Sequence, residues 1–86
     1  MNGSNLKNAN LFGSNLFAVS LDGANLAGAN LIEADLSLSS LKGVNFSQAN
    51  LTNANLRGAE LSDAIFDGAF LCNTLMPWGV DNSSCQ

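Results

Sequence analysis

Leucine or phenylalanine recurs at every fifth position along most of the chain: Leu6, Leu11, Leu16, Leu21, Leu26, Leu31, Leu36, Leu41, Phe46, Leu51, Leu56, Leu61, Phe66 and Leu71. Two places before each stands Ala, Ser or Val, from Ser4 to Ala69, and the residue between them is most often Asn. Neither regular structure accommodates this period. Five residues turn an α-helix by about 500°, so successive leucines step about 140° around the axis and form no stripe. In an unbroken strand an odd spacing sends alternate leucines to opposite faces. What survives is a short extended piece in which the small residue and the leucine share one face, followed by a bend that resets the parity. Such pieces in series make a coil with its leucines inside.

The bend has its own residues. Two places after the leucine stand Gly13, Gly23, Gly28, Gly43, Gly58 and Gly68, with Asn8, Asn53 and Asn73 at other corners. Glycine and asparagine tolerate turn conformations at least cost. Neighbouring coils then pair as parallel strands about 4.8 Å apart, giving each backbone donor a partner above or below. Each buried leucine or phenylalanine stabilises the coil by roughly 1.5–3 kcal/mol before chain entropy is set against it. A ladder of them is an adequate core for a chain of 86 residues, a length at which a single domain is otherwise marginal.

The motif (Ala/Ser/Val)-(Asn/Asp/Ser)-(Leu/Phe)-X-X, running from Ser4 to Asn73, resembles that of the pentapeptide-repeat family. The resemblance implies an all-β fold, a right-handed parallel β-helix of square cross-section with four repeats per turn and about three and a half coils. The helix would occupy residues 1–76, with regular repeats over 4–73 and degenerate ones at both ends, followed by a capping tail at 77–86. Phe46 and Phe66 lie 20 residues apart, as do Ser20 and Ser40, and would stack on common faces.

In such a coil the residue before the leucine and the two after it point outward. Phe12, Phe17 and Ile32 are large apolar side chains at outward positions and form the candidate contact surface, set against the alternative that they are tolerated surface residues. Asp22 and Lys42, one turn apart, are expected to make an exposed ion pair worth under about 1 kcal/mol. At the N-terminus Met1-Asn2-Gly3 is already in phase with the repeat, so the first coil has no cap. Parallel strands left open in this way are a template for pairing with another chain. That points either to a homodimer through the N-terminal coil or to a piece of a longer parent.

Composition narrows the chemistry. The net charge of −4 comes from Asp22, Glu33, Asp35, Glu60, Asp63, Asp67 and Asp81 against Lys7, Lys42 and Arg57. This balance argues against binding a phosphate backbone, which needs a basic surface. No run of 18 apolar residues crosses a membrane, and the opening MNGSNLKNAN lacks the basic-then-apolar order of a signal peptide. Histidine and tyrosine are absent, removing the commonest general base and metal ligand. The pairs Glu60 with Asp63 and Asp63 with Asp67 sit on outward walls, where a solvated acidic surface is the expected reading. Two cysteines without histidine do not build the usual zinc set, and no phosphate-cradling glycine loop is present. No enzyme, metal or cofactor is expected.

Near the C-terminus Thr74, Leu75 and Met76 keep the register, and MPWG then reads as a turn with Pro second and Gly fourth. The segment CNTLMPWGVDNSSC is similar to the terminal segment of cyanobacterial and plant thylakoid-lumen members of the family. That similarity implies a Cys72–Cys85 disulfide, the alternative being two free thiols in a reducing compartment. Trp78 could lie over the last coil as a lid. The functional expectation is a non-catalytic scaffold or protein-binding module presenting flat faces to another protein. The alternative is an acidic nucleic-acid mimic acting on DNA gyrase, as in quinolone-resistance members of the family. The thylakoid lumen or periplasm follows if the disulfide forms, and the cytoplasm otherwise.

Overall fold

A computed structural model of the chain describes residues 2–83. Its organising contact is a parallel bridge between each residue just before a core leucine and its counterpart 20 places on: Asn5 with Asn25, Asn10 with Asn30, Asn15 with Asp35, Ser20 with Ser40, continuing to Asn55 with Leu75. Twenty residues hold four repeats, so each coil has four walls. We number them by their outward centres: the first wall carries Asn5, Asn25, Asn45 and Ile65; the second Asn10, Asn30, Asn50 and Phe70; the third Asn15, Asp35, Asn55 and Leu75; the fourth Ser20, Ser40 and Glu60.

Each repeat satisfies its backbone donors in a fixed way. For the repeat around Asn30, the Asn30 N–H donates to the Ala9 carbonyl at 2.9 Å, Leu31 N–H to the Asn50 carbonyl at 2.8 Å and Glu33 N–H to the Thr52 carbonyl at 2.9 Å. The small residue that follows closes the corner, with Ala34 N–H on the Leu31 carbonyl at 3.0 Å. That bond spans four residues and the third of them has positive φ, 61° at Glu33, the signature of a type II turn. The same left-handed conformation recurs at every corner from Asn8 to Asn73. Six of those corners are glycine, but Ala18, Glu33, Leu38, Gln48 and Asp63 adopt it as well, so the stacked coils hold residues that would not choose this conformation alone.

Extended strands are scarcer than an all-β reading suggests. Only β1 (Thr74–Met76) and β2 (Gly79–Asp81) extend over three residues among those described. Elsewhere a wall contributes a single bridging residue, because two residues later the chain is already turning. β1 is the last piece of the coil, and β2 returns antiparallel along it, with Leu75 opposite Val80. Pro77 and Trp78 form the connecting turn between Met76 and Gly79.

The interior holds the leucine ladder and the small residues beside it. Leu21, Leu26, Leu31, Leu36, Leu41, Phe46, Leu51 and Leu56 are fully buried, and Ala24, Ala29, Ala34, Val44, Ala49 and Ala54 fill the space between walls. Phe46 and Phe66 stack on the first wall with ring centroids 5.1 Å apart and planes 10° from parallel. Where the small position is polar its hydroxyl is bonded: Ser39 to the Leu36 carbonyl, and Thr74 to the Leu51 carbonyl at 2.7 Å. Both ends of the stack are looser. Leu6, Leu11 and Leu16 in the first coil and Leu61 and Phe66 in the last are only partly buried.

Candidate functional site

The outer walls are built by a side-chain hydrogen bond that the repeat pattern conceals. One backbone N–H per repeat, that of the residue just after the leucine, has no neighbouring coil to meet. The asparagine two places earlier supplies its acceptor. Asn10 Oδ1 takes the Phe12 N–H at 3.2 Å, Asn25 Oδ1 that of Ala27 at 3.0 Å, Asn30 Oδ1 that of Ile32 at 3.1 Å and Asn50 Oδ1 that of Thr52 at 3.1 Å. This is an Asx turn, a geometry that Asn and Asp form with their own backbone two residues on. Asp35 does the same for Ser37 at 3.0 Å. A hydroxyl at the following position adds a second bond to the same oxygen, as for Thr52 on Asn50 at 2.7 Å. Because the oxygen is consumed inside the coil, the Nδ2 group of each wall asparagine is directed away from that bond. On the second wall the Asn30 Nδ2 donates to the Asn10 Oδ1 at 3.5 Å, tying asparagines of successive coils to one another.

The fourth wall solves the same problem differently. Serine at 20 and 40 is too short to cap its own turn, and the acceptor comes from the coil below. Asn2 Oδ1 accepts both the Asp22 N–H at 3.0 Å and the Ser20 hydroxyl at 2.6 Å. Asp22 Oδ1 in turn accepts the Lys42 N–H at 3.0 Å and the Ser40 hydroxyl at 2.6 Å. The Asp22 carboxylate is thus engaged by the Lys42 backbone rather than held mainly by its ammonium, whose Coulombic pull is the smallest of the influences on it. The Ser40 hydroxyl and then the Lys42 N–H keep the Asp22 carboxyl below its ordinary titration range. The Ser37 hydroxyl and N–H do the same for Asp35.

Phe12 and Phe17 stand on the two corners that bound the third wall, 56% and 52% exposed. Ile32, one coil above Phe12, is half-buried. Leu38 joins this set from the corner above Phe17 and is 60% exposed; its left-handed corner, where glycine is expected, hid it from the sequence pattern. The structure also makes room for it: a Cβ on Gly58, one coil above, would lie 2.5 Å from Leu38 Cδ2. At the other end Ile65 and Phe70 replace asparagine at wall centres and are about two-fifths exposed. Trp78 is 69% exposed in the β1–β2 turn, so it does not lie over the last coil as a lid. A single tight turn leaves its indole no reach back across the coil end. The Cys72–Cys85 pairing involves Cys85, which lies outside the described residues.

No pocket is found among the described residues, and no cluster of His, Cys, Asp and Glu there could hold a metal ion. No helix among the described residues is long and apolar enough to cross a membrane. The surface chemistry is that of ordered amides, hydroxyls and a few apolar corners.

The comparisons agree with this geometry. The family of pentapeptide repeats matches over residues 9–48, 20–58 and 39–76, with eight copies. The chain belongs to the pentapeptide-repeat family. Among solved structures it is similar to HetL, a pentapeptide-repeat protein involved in heterocyst differentiation regulation from the cyanobacterium Nostoc, with 39% identity and a TM-score of 0.58 over 92% of this chain and 39% of that one. A pentapeptide-repeat protein of the Arabidopsis thaliana thylakoid lumen is 28% identical, with a TM-score of 0.56 over 85% of this chain and 61% of that one. The chain thus spans less than two thirds of the length of either relative. Among curated protein sequences no match is found. Pentapeptide-repeat proteins of known structure form right-handed β-helices, and the parallel bridges here recur at 20 residues, four repeats to a coil.

Proposed function

We propose that the chain is a non-catalytic protein-binding scaffold that docks a partner on its third wall. The observation that carries this reading is the arrangement of that wall: Phe12 with Ile32 on one bounding corner, Phe17 with Leu38 on the other, and hydrogen-bonded Asn15 and Asp35 along the centre. Apolar anchors around a rigid polar strip suit a protein surface with its own apolar ridges and backbone donors for Asp35. Membership of a family of repeat scaffolds supports the reading. The involvement of HetL in heterocyst differentiation regulation makes a regulatory protein the favoured partner.

The alternative of an acidic gyrase inhibitor needs carboxylates in columns. Only Asp35 and Glu60 are carboxylates among the wall centres from Asn5 to Phe70, which weighs for the scaffold. A supercoiling assay with gyrase tests that alternative directly. An oxidising compartment, thylakoid lumen or periplasm, goes with the scaffold if Cys72 and Cys85 are bonded.

The deciding experiment is affinity capture from the source cells followed by binding of the recovered partner to purified variants. Phe12→Ser with Phe17→Ser should weaken binding by tenfold or more, on the order of 1.4 kcal/mol, while Phe70→Ser on the second wall leaves it unchanged. Equal binding by both variants would rule out the third wall.

A further inference from the structure

The third wall sets two apolar columns on either side of a fixed carboxylate, and we propose that it takes an amphipathic α-helix of a partner protein. That helix lies along the coil axis, with an arginine on its central row and aliphatic residues three and four places to either side. The inference rests on the third wall being the docking surface and adds what that wall selects. Its place on the flank of the coil makes it independent of whatever adjoins either end of the stack.

Spacing selects the helix. Phe12 lies one coil below Ile32 on one bounding corner, and Phe17 one coil below Leu38 on the other. Successive coils are about 4.8 Å apart, close to the roughly 5.4 Å rise of one helical turn. Residues three or four apart on a helix therefore meet successive anchors of one column. An extended peptide laid the same way presents same-face side chains only about every 6.6 Å, and falls out of step with the coils. Between the columns runs the polar strip of Asn15 and Asp35. A helix seated there brings one row over the strip and the flanking rows, three and four places away, over the apolar columns.

Charge selects the arginine. Asp35 is the one carboxylate among the wall centres of its coil, where Asn25, Asn30 and Ser40 hold the others. The Ser37 N–H and hydroxyl both donate to its Oδ1, at 3.0 and 2.6 Å. These bonds fix the carboxylate before any partner arrives, and leave its Oδ2 without a hydrogen bond to a described residue. Glu33, exposed one residue beyond Ile32, adds to the negative side, and Arg57, exposed above Ser37 on the opposite corner, is the positive one. A cation on the central row meets Asp35, and a carboxylate further along the helix meets Arg57. Arginine suits the site better than lysine, because its planar guanidinium pairs with a fixed carboxylate and also stacks on aromatic rings such as those of Phe12 and Phe17.

Selection on the purified chain from a displayed library of random peptides, each about three helical turns long and half of them helix-stabilised, tests the occupant. Peptides that bind the unaltered chain but not the Phe12→Ser, Phe17→Ser variant should come from the helix-stabilised half. They should carry a central arginine with aliphatic residues three and four places from it. Asp35→Asn keeps the Oδ1 cap, as Asn30 does for Ile32, and removes only the charge. It should weaken those peptides about tenfold, as should glutamine in place of their arginine, and the two changes together should cost little more than either alone. Raising the salt from about 0.1 to 1 M should weaken them as well. Wall-dependent peptides that lack a cation, bind Asp35→Asn equally well or come from the unstabilised half would overturn this inference and leave the docking wall standing. Recovery of no peptide that depends on Phe12 and Phe17 would also overturn the helical occupant, and capture of the natural partner then judges the wall separately.

Discussion

An asparagine before each core leucine does a job that its outward position disguises: it caps a backbone donor that no coil can reach. The cap itself uses the Oδ1 atom, which aspartate also supplies, as Asp35 does. We expect Asn25→Ala to destabilise by about 1 kcal/mol, the usual cost of a lost hydrogen bond with a half-buried donor, and Asn25→Asp to lie near zero; urea denaturation of the two variants checks this. The corners allow a second comparison. Gly23 and Gly58 share a left-handed φ of 71°, so alanine at either is strained by about 1 kcal/mol. At Gly58 the added Cβ also meets Leu38, whereas at Gly23 it meets open space. Gly58→Ala should therefore cost more than Gly23→Ala, and Leu38→Gly should erase the excess in a double-mutant cycle. Titration gives a third. Asp22 and Asp35 titrate below the ordinary carboxylate value of 3.8, so the folded state binds these protons more weakly than the unfolded chain. Their stabilisation is present in full above the unfolded value and is lost as pH falls through the folded one. The melting temperature should hold level from neutral pH to about 5 and drop below 4, and Asp22→Asn with Asp35→Asn should flatten that drop by lowering stability at pH 7, where the ionised carboxylates contribute in full.

At the level of the coil, stability depends on an interior with no polar exit. Leu31 is fully buried between the Leu11 and Leu51 rungs, and an aspartate there would bury an unpaired charge at a cost of several kcal/mol, comparable with the stability of a whole domain. Leu31→Asp should abolish cooperative melting, read by circular dichroism. Leu36→Ala should cost roughly 2–5 kcal/mol through the cavity it leaves, and Leu11→Ala less, because the first coil is already partly open. Position 52 had the look of a free outward site in the sequence, yet the Thr52 hydroxyl donates to Asn50 Oδ1. Thr52→Asp would set a carboxylate against that oxygen, so the change should be mildly destabilising rather than silent.

At the scale of the whole molecule, the segment that follows the last repeats is tied back onto the coil. The C-terminal end is closed on one wall by β2 and tied at the corner, where the Asn73 N–H donates to Asn82 Oδ1 at 2.6 Å. If Cys72 and Cys85 are bonded, the bridge closes a loop of about 14 residues and should stabilise by roughly 3 kcal/mol. Reduction should then lower the melting temperature and open residues beyond Met76 to proteolysis while the central coils stay protected. Two titratable thiols in protein isolated from its own compartment would remove both the bridge and the oxidising location that leans on it.

The five-residue period determined, without any coordinates, which residues face inward, where the corners fall and that coils rather than helices or sheets result, because neither 3.6 nor 2 divides five. The sequence also placed Phe12, Phe17 and Ile32 outside, since parity within one repeat is a local property. What required the tertiary structure was every contact made across 20 residues. The Asp22 carboxylate engages the Lys42 backbone because serine at 40 cannot cap its own turn, a fact visible only once the coils are stacked. Leu38 is an exposed apolar corner because its neighbours enforce a left-handed conformation that no propensity would assign to leucine. Trp78 lies in solvent because β2 turns back too sharply for its ring to reach the coil end. Repetition makes local structure legible, while the function-bearing surface is set by which residues the coils bring side by side, and that depends on the number of repeats per turn rather than on the repeat itself.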